Sequence, residues 1–398
     1  MIRTLHRTLS ILCLSAFVSS TLSAREIYVD ASATGAANGT NWADAYTNMR
    51  DAVADANGAS MADNIHVSAG HYVSLSPYMI TEPCTVRGHG SGAVIFESLA
   101  LAAPISRIDR TDIHFFDVEF NLSATHVYGY QSGVRFDRCE FTLASLSSVV
   151  GDRCHLMQFK YCKFYKNSSP GPGGAILSND SRLVAIHDSE FCKNNSLGSG
   201  GAVHGTSTFP TGNFELHNTR FTDNHAASDG GGLSLSNTNA TLINNVLLFN
   251  RAFQGGAIAF QNVAGYSTLR LINSTVFRNQ AINTGGISCS SSFFGITHCR
   301  VANSIVYSNA SAAAPTLLQQ FNQPPNRISH SCVAGWGSLP WPGFAVIASP
   351  PALLPSGRPT ALSPCIDTGN ARFCPLPYDI TGSPRVIGPN IDMGAYER

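Results

Sequence analysis

The chain reads as an all-β protein, a single-stranded, right-handed parallel β-helix of about eight to ten coils with an N-terminal helical cap. A repeat, a spacing and an absence point to it. The repeat is an apolar residue, two variable residues and an asparagine, written six times: at 164–167, 191–194, 221–224, 247–250, 276–279 and 306–309. The ladder asparagines Asn167, Asn194, Asn224, Asn250, Asn279 and Asn309 recur at intervals of 27, 30, 26, 29 and 30 residues. A period in this range means stacked copies of one small unit. The spacing is strand-like, with apolar columns two residues apart. The absence is of any 3.6-residue pattern inside the unit, which leaves no crossover helix, so the chain returns to the same place by coiling.

Aligned on the apolar residue, the pattern runs back to Phe120 and Phe141. Seven positions upstream stand Ile113, Val134, Met157, Val184, Phe214, Ala240, Leu269 and Cys299. Five upstream stand Phe115, Phe136, Phe159, Ile186, Leu216, Leu242, Leu271 and Val301. All are expected inside. Two upstream the column is small or polar: Val118, Cys139, Cys162, Ser189, Thr219, Asn245, Ser274 and Ser304. The step from five to two breaks the alternation, so the strand bends there. Asp188, Asn218, Asn244, Asn273 and Asn303 occupy that bend and tolerate left-handed backbone. Glycine pairs follow the first five asparagines, from Gly173-Gly174 to Gly285-Gly286, and suit a second turn of positive φ. The asparagines are expected to stack and bond to each other and to the turn backbone. Before Ile113 the pattern weakens, and Ile65, Val67, Val86, Val94, Ile95 and Phe96 are the candidates for earlier coils.

The open ends of such a stack need covering. Trp42, Ala45, Met49, Ala52, Val53 and Ala56 follow helical spacing, with Asn57-Gly58 as a stop, and read as the cap. At the far end Pro315 stands where a glycine is expected. The organisation is then a signal peptide at 1–24, a strand and capping helix at 25–62, the β-helix at 63–310, a Pro/Ser-rich irregular segment at 311–362 and a terminal segment at 363–398. Arg3, His6 and Arg7 precede the apolar run from Leu9 to Val18, which gives the signal reading and an extracellular or outer-surface location. The run is too short for a membrane span. Ten cysteines remain after cleavage, and export favours disulfides. Cys365 and Cys374 enclose a short loop, and Cys139 and Cys162 share a column on successive coils; these are the two candidate pairs.

Lys+Arg and Asp+Glu both number 25, and 13% of residues are charged, which argues against a basic nucleic-acid binder or a polybasic membrane binder. The paired repeats, with G-G-A-[ILV] at 173–176, 200–203 and 255–258, resemble polymorphic outer-membrane protein passengers, a resemblance that implies adhesion. The ends resemble bacterial right-handed β-helix repeat proteins with a choice-of-anchor (Q-type) terminal domain. At the start the likeness lies in I-Y-V-D-A-S at 27–32, N-G-T-N-W at 38–42 and V-S-A-G-H-Y at 67–72. At the end it lies in S-P-C-I-D-T-G-N at 363–370, D-I-T-G-S-P-R at 379–385 and I-D-M-G-A-Y-E at 391–397. The sequence stops at Arg398 directly after that motif, so a released or loosely surface-associated monomer is expected.

The fold is shared with pectate lyases and polygalacturonases, but fold is not function. A glycosidase of this shape needs clustered carboxylates, and a lyase needs a Ca²⁺-binding acidic cluster with an Arg or Lys base. Asp180, Asp188, Asp223 and Asp229 are close in sequence, yet bends explain Asp188 and Asp223. Arg87-Gly88-His89-Gly90 reads as a glycine turn near the cap. Glu119, Glu140, Lys163, Glu190 and Arg220 form an outward row of surface pairing, and His187 and His217 an outward pair too small for a metal site. The expectation is therefore a non-enzymatic β-helix that binds a polysaccharide, a cell-surface glycan or a protein. It has no catalytic, cofactor or metal residues and no nucleic-acid partner. The rival is a lyase or hydrolase acting on acidic polysaccharide, with Ca²⁺ as the one ion that reading would bring.

Overall fold

A computed structural model describes residues 24–58, 62–99, 103–208, 212–312 and 316–398. The signal-like segment, save Ala24, and Pro315 lie outside the described residues. The chain forms a parallel β-solenoid of about nine turns with very little helix. Three longer strands recur in each turn, joined in six turns by a fourth of two residues, and the ladders between successive turns are parallel. Val134, Met157, Val184 and Phe214 pair in sequence along one face, and Phe141, Phe164, Phe191 and Phe221 along the next. A third face stacks Val149, Ile176, Val203, Leu233 and Ile258.

All sixteen residues of the two apolar columns are buried. The rings of Phe120, Phe141, Phe164, Phe191 and Phe221 form one continuous stack, with centroids 4.5–5.1 Å apart and planes within 8°. That separation is close to the rung spacing of a sheet, so identical residues at identical positions are forced into parallel contact. Phe115, Phe136 and Phe159 stack likewise and meet the first column edge-on, as Phe136 does Phe141 at 5.1 Å and 81°. Of the weaker early candidates, Ile65, Val67, Val86, Val94 and Phe96 are inside. Ile95 lies between Val94 and Phe96 on an alternating strand and takes the other face.

The bends are left-handed, as the asparagines there predict. Asp188, Asn218, Asn244, Asn273 and Asn303 have φ between 46° and 57°. The same conformation holds Arg138 and Tyr161 in the earlier coils, so position in the coil overrides residue preference. A second left-handed column sits just before each ladder asparagine, at Lys166, Lys193, Asp223, Phe249, Arg278 and Ser308. In four of the five pairs the two glycines do different jobs, while Gly285 lacks the expected positive φ and is set by close approach to Ala310. Gly173, Gly200, Gly230 and Gly255 carry φ of 63–73°. A Cβ on Gly201 would come within 2.2 Å of the Gly231 oxygen one rung away, so the second glycine is set by close approach of the coils.

At the start, the capping helix runs Met49–Asn57, shorter than its apolar spacing suggested. Asn48 caps it by accepting from the Asp51 N–H at 3.0 Å, which leaves Trp42 outside the helix and partly exposed. Met49, Ala52, Val53 and Ala56 are buried against the first coil. At the other end, stacking continues past Asn309. Thr316–Gln320 is a short helix, and Arg327–Val333 adds another rung in register with Arg300–Ala302 and Ile305–Val306. This rung was not visible as a repeat because Trp336 stands where its asparagine would be. Trp336, Leu339, Trp341 and Val346 pack on the exposed end of the core. No helix among the described residues is long and apolar enough to cross a membrane.

Candidate functional site

The terminal segment lies along the side of the solenoid. Asn244 Nδ2 donates to the Tyr378 carbonyl at 2.7 Å, and Asn303 Nδ2 donates to the Asn370 carbonyl at 3.0 Å. The bend asparagines therefore serve twice, as turn residues and as a dock. Alongside them Val246, Leu248 and Phe277, which face outward, are covered by Ala395 and Tyr396. The segment is knit internally by buried Asp379, Arg385, Asp392 and Glu397. Asp379 accepts from the backbone of Thr381, Ser383 and Glu397 at 2.7–2.9 Å. Arg385 lies 3.7 Å from the Glu397 carboxylate and donates to the Gly394 carbonyl. Burial pushes the Glu397 carboxyl up to about 7.

Docking leaves a groove on the neighbouring face. Arg270, Arg300 and Arg327 occupy one outward column on three consecutive rungs. All three are exposed, and none makes an ion pair among the described residues. Like charges on adjacent rungs repel, so this arrangement costs stability as it stands. Beside them Ile272, Ala302 and Phe373 line a depression of about 160 Å³. A second depression of about 380 Å³ shares Arg327, Ser329 and Phe373 and adds His330, Phe344 and Arg372. Phe373 is held by the short turn Ala371–Phe373. Asn370 caps that turn by accepting from the Arg372 N–H at 3.0 Å, and its own N–H donates to Asn303 Oδ1 at 2.8 Å. No Asp or Glu lines either depression among the described residues. The sequence carried a signal for this column, since the three arginines sit six residues before the repeat's apolar position or its equivalent. The wall supplied by residues 370–373 had none, because it comes from about 70 residues away.

The other sequence candidates fall into place separately. The six ladder asparagines stack in a single buried line. Asn224 Nδ2 donates to the Phe191 carbonyl at 3.0 Å and to Asn250 Oδ1 at 2.9 Å, while its own Oδ1 accepts from Asn194; the pattern repeats at each rung. Asn167, Asn194, Asn250, Asn279 and Asn309 make the equivalent bonds. Gln320 then closes the line, accepting from the Asn309 side chain at 2.8 Å. A second ladder runs through the small polar column, with Ser189, Asn245, Ser274, Ser304 and Ser331 each accepting the N–H of the rung before.

Cys139 and Cys162 are members of the second ladder, and Cys162 donates to the Lys160 carbonyl at 3.4 Å as Ser189 Oγ does to His187. Cys365 lies against Cys332 and not against Cys374, whose sulfur instead meets Asn273 Nδ2 at 3.4 Å. Cys365 and Cys374, expected as a pair from the short loop between them, thus have separate neighbours, because the terminal segment folds back on the last rung.

Asp180, Asp188 and Asp223 each sit at a left-handed bend, Asp180 bonding Thr208 and Asp188 bonding Asn218. Asp229 accepts from Gln261, and burial raises its carboxyl. The charged row contains one close pair, Lys163 to Glu140 at 2.5 Å, while Arg220 turns to the Tyr396 hydroxyl at 2.6 Å. His187 and His217 stack at 4.7 Å and 4°, with burial holding both below the usual imidazole range. No group of three or more His, Cys, Asp or Glu is placed to hold a metal among the described residues.

Near the cap the G-H-G stretch, read from sequence as a glycine turn, lies within the strand Cys84–Ser98, paired in register with the strand before it. His89 bonds His66 at 2.7 Å, and His66 in turn contacts Glu26, at the edge of a cleft of about 570 Å³ containing Asp30, Ser32 and Trp42. The three come from separate strands, so no linear motif joined them. The chain of contacts from Glu26 through His66 to His89 fixes the orientation of the two rings. No protein-family model and no curated protein matches this chain.

Proposed function

We propose that the protein is an exported β-helix that binds an acidic glycan on its arginine face without cleaving it. The observation that carries this reading is the unpaired column Arg270, Arg300 and Arg327 beside an apolar floor and the Phe373 ring. Guanidinium forks recognise carboxylate or sulfate by two parallel bonds. Aromatic and aliphatic surface beside them suits the apolar face of a sugar ring. Rung spacing of roughly 4.8 Å gives a linear polymer several charges to meet along its length. That no carboxylate among the described residues lines the groove favours binding over hydrolysis, which needs a pair. Export rests on the charged start and apolar run at Leu9–Val18. The resemblance to polymorphic outer-membrane passengers and choice-of-anchor proteins adds adhesion at a cell surface as the setting.

The test is calorimetric titration with a polyuronate, a sulfated glycan and a neutral glucan. Binding of a charged polymer, lost in the triple variant Arg270→Gln, Arg300→Gln, Arg327→Gln with its melting curve preserved, is the expected result. Equal affinity for the neutral glucan would remove the reading. So would release of unsaturated sugars from polyuronate with added Ca²⁺, which would install the lyase in its place.

A further inference from the structure

Cys332 and Cys365 are the pair of thiols that the coil pattern does not explain. Cys139 and Cys162 serve the second ladder, as described above. Cys332 instead follows Ser331, the ladder residue of its rung, and points out of the solenoid to the terminal segment. Its partner lies in S-P-C-I-D at 363–367. Both are fully buried, in one small cluster with Ile305 and Met393. The two thiols are within hydrogen-bonding reach of each other, and that contact, with burial, holds the Cys332 thiol well above its ordinary range. The backbone around each is fixed independently. Cys332 N–H donates to the Ser304 carbonyl at 2.9 Å, and the Cys365 carbonyl accepts from Met393 at 2.9 Å. The two thiols are thus buried in contact with their backbones anchored from both sides, the close approach that a disulfide requires.

We infer that Cys332 and Cys365 form a disulfide that staples the terminal segment to the last rung of the solenoid. The inference does not depend on the glycan reading, although the staple would fix the wall at 370–373 a few residues from Cys365. The oxidant is a low-molecular-weight disulfide or a disulfide-exchange protein in the compartment outside the cytoplasm. One cysteine thiolate attacks the oxidant's sulfur, forming a mixed disulfide and expelling one thiolate. The second cysteine, losing its proton, attacks the protein sulfur of that mixed disulfide and expels the second thiolate. The S–S bond forms, two electrons pass to the oxidant, and the two cysteine protons end on the two released thiols. Because both cysteines are buried once the segment is docked, exchange takes place as the segment folds onto the rung.

The experiment is refolding of the full chain in a mixture of oxidised and reduced glutathione, followed by alkylation and digestion without reductant. A protease that cuts after aromatic residues separates the cysteines at Trp336, Phe344 and Phe373. The expected product joins the peptide containing Cys332 to that containing Cys365, two hydrogens lighter than their sum and split by reductant. Recovery of both cysteines fully alkylated, or of Cys365 joined to Cys374, overturns the inference. A second measurement covers variants that misfold. Reductant should lower the melting temperature of the oxidised wild type by roughly 3–6 °C. It should leave the Cys332→Ala, Cys365→Ala variant unchanged, and an equal response in both proteins would count against the staple.

Discussion

Asn224 illustrates how much one side chain carries when it repeats. Its amide is fully buried and satisfies the Phe191 carbonyl, the Asn194 backbone and its neighbours in the line. Asn224→Ala therefore strands buried donors and acceptors on two rungs, and a loss of about 3–5 kcal/mol is expected in urea unfolding. Affinity for a ligand on the arginine face should be unchanged in the folded fraction, because the ladder lies inside the coil. Selective loss of binding at full stability would contradict that assignment. Phe191 tests the adjacent column. It sits between Phe164 and Phe221 at 4.5 and 4.8 Å, so Phe191→Ala leaves a cavity with rings on both sides and should also cost about 3–5 kcal/mol. A cost below 1 kcal/mol would mean that the stack contributes little.

The terminal segment is the element whose stability should follow pH in an unusual direction. Glu397 is raised by burial from an ordinary carboxyl to about 7, so the folded state holds its proton where the unfolded chain has lost it. The stabilisation is full below the unfolded value, near 4.5, and is lost as pH rises to about 7. The buried histidines act oppositely: burial lowers His126 to about 3 and His204 to about 4, favouring the fold as pH rises toward 6.5. The wild-type curve contains both, so the comparison with Glu397→Gln isolates the carboxyl. Melting temperatures taken from pH 5 to pH 8 should fall more steeply for wild type than for the variant. Parallel curves would show that Glu397 titrates alike in both states. Gln320 belongs to this scale too. It ends the asparagine line with a longer side chain supplied from the short helix, and Gln320→Leu should loosen the last rungs, read as faster amide exchange at Asn309 than at Asn224.

For the whole molecule, one face is covered by the terminal segment and the next is left with the arginine column. Binding there should be electrostatic and weaken steeply between low and physiological salt. Each single Arg→Gln change should weaken a charged glycan about tenfold, the size of one lost charge-assisted bond. Salt-independent binding would point instead to the apolar floor. The length of the solenoid follows from the same stacking that makes the groove, since every added rung extends the column and the floor together.

Much of this was legible in the chain. The asparagine line, the two apolar columns and the left-handed bends of the later coils follow from residue type and spacing, because each coil repeats the same local geometry; at Arg138 and Tyr161 the coil alone imposes the bend. Such information is periodic. The decisive long-range contacts are not: Phe373 reaches the face of Arg270 and Arg300, Cys365 meets Cys332, and Glu26 meets His66, which meets His89, across three strands. The added rung at Arg327–Val333 also escaped the pattern, since its asparagine is replaced by a glutamine from a helix and a tryptophan at the end of the core. The sequence by itself determined the coil, its lining and its polar ladders, through hydrogen bonding and packing between adjacent coils that every copy repeats. Only the tertiary structure decided which face is covered and which stays open, because that depends on where a non-repeating segment of about 36 residues folds back.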